Sequence, residues 1–222
     1  MQNPALLTVS FIAIFSFVVF NVVSRIFYKK RHNTQYHFYQ MFPYEFNYPA
    51  VFKENPYGNF LFLFSSFAVC AFYILNPYES AFRMWSLIIS IVFTMVVICL
   101  TMMPMTYLRT HILLVCASMV LSMALPLFNF FLALNQRRIE TDQLKGVLCI
   151  VSMALSGLLA ISMMVLILNP KLTFKIYYRR EIGLNGQEVL KRPPVIYLAL
   201  TEWVAIFIYF FSIIPVLLIC LL

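Results

Sequence analysis

Residues Val195–Leu222, VIYLALTEWVAIFIYFFSIIPVLLICLL, form a run long enough to cross a bilayer, and Glu202 is the one charged residue in it. At a helical rise of about 1.5 Å per residue, the seven steps from Val195 put Glu202 roughly 10 Å along the helix. That is near the edge of a hydrocarbon core about 30 Å thick. A charge at the centre of a span costs on the order of 2.5–3.5 kcal/mol, so this acid is expected to face other helices, a wet cavity or a neutralising partner. Two readings follow. Glu202 is the polar anchor of a ligand cavity or proton site, or it is a protonated or hydrogen-bonded group that only fixes helix packing or reaches the interface.

Moving outward, the whole 222-residue chain is 63% hydrophobic and 11% charged, which leaves too little polar surface for a water-soluble domain. The expectation is an all-α, polytopic six-helix transmembrane bundle forming a single domain. Its spans are expected at about 5–27, 60–75, 84–103, 112–134, 146–168 and 195–222. All five cysteines, Cys70, Cys99, Cys116, Cys149 and Cys220, fall inside spans, so the loops offer no disulfide framework and no metal spacing. The formal net charge is +8, and the basic residues cluster beside spans, which points to anionic headgroups and topology rather than nucleic acid. The first span follows no basic residue and precedes Arg25, Lys29, Lys30 and Arg31, so it reads as a retained helix rather than a cleaved leader.

Loop one, Tyr28–Asn59, is rich in aromatics and proline and is expected to lie at the headgroup level, with Tyr44, Phe46 and Tyr48 allowing a short extended piece. Arg109 and His111 stand where the fourth span begins, as a small polar cluster or a phosphate contact. Ser118 and Ser122 on the fourth span, and Ser152, Ser156 and Ala160 on the fifth, are spaced by four and should let these helices pack closely. Pro126 and Asn129 interrupt the fourth span, either as a packing kink or as a polar lining shared with Glu202. Loop five, Asn169–Pro194, has two alternating runs about Asn185-Gly186 and predicts a β-hairpin. Its Lys175, Arg179, Arg180, Lys191 and Arg192 form a lipid-headgroup or partner surface, or simply set orientation. The candidate polar or ligand site is therefore Glu202, His111, Arg109 and Asn129.

No Gly-rich phosphate loop, metal-spaced cluster or Gly-x-Ser-x-Gly elbow occurs, and the only histidines are His32, His37 and His111. No cofactor or catalytic residue is called. The pattern Glu202-Trp203 opening an aromatic-rich last helix, His111 at the start of helix four, and Phe42-Pro43-Tyr44 with Pro56-Tyr57-Gly58 in the first loop resembles the damage-regulated autophagy modulator family. The wider clan includes the GPI-anchor lipid remodelling factors. The resemblance implies a non-catalytic multi-pass protein of endomembranes (lysosome or Golgi) or of the plasma membrane, acting through lipid organisation or partner membrane proteins. The remodelling relatives imply instead an enzyme or lipid-handling factor, with Glu202 and His111 converging on a polar cavity. Charge adds a third class: twelve Lys and Arg fall on the odd loops against four on the even ones. By the positive-inside rule the odd loops are then cytoplasmic, whereas the resemblance implies a luminal first loop. Obeying that rule would suit a receptor-like or transporter subunit with an open vestibule.

Overall fold

With no water in a bilayer core, an apolar run can satisfy its backbone polar groups only by forming helix or a closed barrel. The computed structural model describes residues 4–47, 51–78, 80–103, 107–173, 179–182 and 188–220, and the apolar runs among them are helical. The long elements are α1 (Pro4–His32), α3 (Pro56–Leu75), α4 (Ala81–Met102), α5 (Leu108–Ile139) and α6 (Gln143–Ile167), followed by α7 (Tyr197–Phe211) continued by α8 (Ile213–Cys220). A single turn of helix, α2 (Val51–Glu54), lies between α1 and α3. Among the described residues six helices are long and apolar enough to cross a membrane, α7 and α8 counting as one.

The helices overrun the expected boundaries because their ends are polar or aromatic rather than apolar. α1 is 29 residues long, about 43 Å at the usual rise, so it outreaches the hydrocarbon and carries Lys29, Lys30, Arg31 and His32 in its last turn. α3 starts at Pro56, a residue suited to the first turn of a helix, and so gains a turn over the expected start. α7 starts at Tyr197, not Val195, because Ile196 is extended and donates its N–H to Tyr39 O at 2.7 Å.

The last span is the hub. In its most apolar window 61% of residues are buried, against 17% for α6, which sits at the lipid-facing margin. Trp203, Ile206, Tyr209 and Phe210 have essentially no exposed surface. Phe17 of α1 stacks on Phe210 at 4.0 Å between ring centroids, and Phe62 of α3 meets the same ring edge-on at 5.7 Å. Hydroxyls tie the remaining contacts: Tyr209 Oη donates to Ser66 O at 3.0 Å and also meets Thr94 Oγ1. Ser118 and Ser122 of α5 and Ser152 and Ser156 of α6 are wholly buried, while Ala160 is only half-buried.

α5 runs as one helix through Pro126. The interruption falls instead in the last span at Ser212, three residues before Pro215, whose ring removes a backbone donor. Ser212 O accepts from Asn129 Nδ2 at 2.9 Å and from Tyr73 Oη at 3.3 Å, so side chains of α5 and α3 both hold the chain at the break.

Loop one is not a belt lying on the membrane surface. Tyr36, Phe42 and Phe46 are buried in the end of the bundle, and Pro43–Phe46 is a 3-10 turn rather than an extended piece, because Glu45 accepts the N–H of Phe42 at 3.0 Å. In loop five, β1 (Arg179–Ile182) and β2 (Glu188–Lys191) pair antiparallel with Arg179 opposite Lys191. The turn at Asn185-Gly186 lies outside the described residues, as does Tyr48. Among the described residues no strand of loop one joins this two-stranded sheet.

Candidate functional site

Glu202 stands five residues into α7, and His111 three residues into α5. These two helices run in the same direction, so both side chains lie at the same end of the bundle. Glu202 Oε1 and His111 Nε2 are 3.2 Å apart, and neither side chain has any exposed surface. Among the described residues Glu202 Oε2 and His111 Nδ1 have no hydrogen-bond partner. The pair is a carboxyl and an imidazole sharing one contact in an enclosed space, with one polar atom to spare on each.

Loop one roofs it. The rings of Tyr44 and Phe42 meet the imidazole edge-on at 5.5 and 6.4 Å. Trp203, next to Glu202, donates Nε1–H to Tyr36 Oη and to Met41 O, both at 3.0 Å. Tyr36 Oη in turn donates to Phe42 O at 2.7 Å. Burial pushes the Tyr36 phenol well above its ordinary range, with the charge of Glu45 acting in the same direction, so it stays a neutral donor. The rim is held by charge and by amides. Arg192 Nη1 donates to both carboxylate oxygens of Glu45 at 2.9 and 3.0 Å, Gln40 Nε2 to Pro194 O at 2.9 Å, and Asn47 Nδ2 to Thr101 O at 2.9 Å. Loop one, the end of loop five and the last turn of α4 thus meet over one end of the bundle.

No family model, curated protein or solved structure matches this chain.

Of the four residues expected to form a polar site, the fold brings together two. Arg109 is exposed, its helix turning it away from the His111 face. Asn129 is buried but lies 18 residues beyond His111 on α5, roughly 27 Å of helical rise away, occupied with Tyr73 Oη at 2.8 Å and with Ser212. Of the basic loop-five residues, Arg192 is spent on the loop-one rim. Arg179, Arg180 and Lys191 fall on the two short strands, and Lys175 lies outside the described residues. Tyr36 and Glu45 went unselected by the sequence reading. Their only signal was position, since Glu45 is an acid in an otherwise aromatic stretch that needs a cation, and Arg192 is that cation.

Proposed function

We propose that the protein is a non-catalytic multi-pass endomembrane protein, similar to the autophagy-modulator clan, acting through lipid organisation or partner membrane proteins. The observation that carries this reading is the enclosure of Glu202 and His111: an acid and an imidazole with no exposed surface pin α7 to α5 beneath the first loop instead of meeting a substrate. A group that transfers protons to a substrate must come within hydrogen-bond reach of it, and the aromatic roof stands in the way. The basic loop five supplies a headgroup or partner surface on the same side of the membrane. The residence is lysosome, Golgi or plasma membrane.

A second reading, a lipid-remodelling factor, draws on the spare Glu202 Oε2 and His111 Nδ1, which a lifted loop one would present to an ester. One reconstitution separates the two. Purified protein in phospholipid vesicles is expected to release no lysolipid or fatty acid beyond that of protein-free vesicles. Turnover abolished by Glu202→Gln, in a variant that melts like the wild type, would overturn the non-catalytic reading.

A further inference from the structure

Two cations described at the loop-one end are paired with carboxylates: Arg31 with Glu54 at 3.0 Å, Arg192 with Glu45. Arg25 and Lys29 differ. They lie one helical turn apart on the same face of α1, both exposed, and among the described residues neither has a carboxylate or hydrogen-bond partner. Between them and loop one is a cavity of about 230 Å³ lined by Arg25, Ile26, Lys29, Gln35 and Tyr36. The Arg25 guanidinium is held 3.8 Å over the Phe38 ring, which fixes its plane and leaves its N–H edges free.

Below this cavity the same side of α1 turns mainly apolar, with Ser10 as the polar residue of its lower trough. Val22 is more than half exposed, and it leads to a trough of about 420 Å³ in which Phe11, Ile14, Phe15 and Val18 face Leu217 of α8. One leaflet supplies about half of a 30 Å core, roughly 15 Å of chain. Ten residues of α1, from Arg25 to Phe15, rise by the same roughly 15 Å. A phosphate placed at Arg25 therefore drops its acyl chain into the trough.

We propose that this face of α1 is a binding site for one anionic glycerophospholipid, its phosphate between Arg25 and Lys29 and one acyl chain in the trough against Leu217. Guanidinium and ammonium together favour a net-negative headgroup over a zwitterionic one, whose ammonium they would repel, and the Gln35 amide adds a neutral donor beside them. The site rests on the lipid reading given above and names the lipid class and the place.

The test is native mass spectrometry of the full-length protein released from mild detergent with phosphatidylserine or phosphatidylcholine. The expected result is one retained phosphatidylserine per chain and little phosphatidylcholine. At about 1 kcal/mol per cation, Arg25→Gln with Lys29→Gln should weaken phosphatidylserine retention about 20- to 30-fold, whereas Lys145→Gln at the opposite end should leave it unchanged. Val18→Trp, which fills the trough with another apolar group, should expel the lipid while both cations stay in place. Equal retention of the two lipids, or undiminished retention in the double variant, overturns the site. Retention of phosphatidylserine at undiminished strength in the double variant leaves the general lipid reading standing, whereas no lipid retained by any form removes both.

Discussion

If the Glu202–His111 contact is what pins α5 to α7, removing either partner alone should be far worse than removing both. Each side chain is fully enclosed, so His111→Leu strands a carboxyl group, and Glu202→Leu strands an imidazole. Loss of one partner from a buried pair costs about 3–5 kcal/mol, while replacing both with apolar groups of similar volume is close to neutral. The double variant should therefore recover most of the loss, with a coupling energy of at least 2 kcal/mol. For a chain of this size each 1 kcal/mol moves the melting midpoint by about 2–4 °C, so single variants should melt about 6–20 °C below the wild type and the double variant within a few degrees of it. Glu202→Gln retains an amide that still reaches His111 Nε2, and its loss should stay below about 1.5 kcal/mol. The assay is thermal unfolding of the purified protein in one detergent, followed by tryptophan fluorescence, since Trp203 adjoins the pair. Additive losses, with the double variant worse than either single one, would refute the coupling and with it the account of Glu202 as a packing lock.

Trp203→Phe removes the donor to Tyr36 Oη and Met41 O while keeping a ring against Phe38, so loop one should loosen before the bundle does; limited proteolysis within 33–47 should quicken several-fold with little change in melting midpoint. Gly58→Ala should destabilise by about 1–3 kcal/mol, because a methyl group there collides with the buried Asn55 carboxamide and Ser24 Oγ, which hydrogen-bond each other at 2.7 Å; a wild-type melting midpoint would contradict this. Tyr36 supplies a pH dependence. Its folded phenol holds the proton above the ordinary value of 10.0, so its contribution is complete below that pH and is lost as pH rises through the raised value. Melts recorded from pH 8 upward should fall more steeply above about pH 10 for the wild type than for Tyr36→Phe.

The six crossings and the special status of Glu202 were legible because both rest on one-dimensional facts: run length against bilayer thickness, and a charge inside an apolar run. His111 was legible as a titratable group at a helix start. Its partnership with Glu202 was only an alternative, since the two are separated by 91 positions and only the shared direction of the fourth and sixth spans makes the contact available. Loop one was misplaced for a physical reason. Aromatic rings with polar tips suit a headgroup layer and a half-polar core equally, and what decides between them is whether the tips find fixed partners. Here they do: Tyr36 Oη reaches the Phe42 carbonyl and receives Trp203 Nε1–H, neither of which any local pattern announces.

Asn129 shows why depth alone does not make a shared site. A carboxamide at that depth needs a partner, and the partner was sought in Glu202 because both are polar groups in apolar surroundings. The break at Ser212 ahead of Pro215 sets a carbonyl in the same stratum as Asn129, and that carbonyl, not the distant acid, takes its donor. The last span is thus tied to α5 at two polar points: Glu202 by His111 near the loop-one end, and Ser212 O by Asn129 deeper along the helix. Two such ties at separate heights fix both the rotation and the axial register of α7 and α8 against α5, which neither could do alone. It follows that the acid need perform no chemistry to account for its place in the helix.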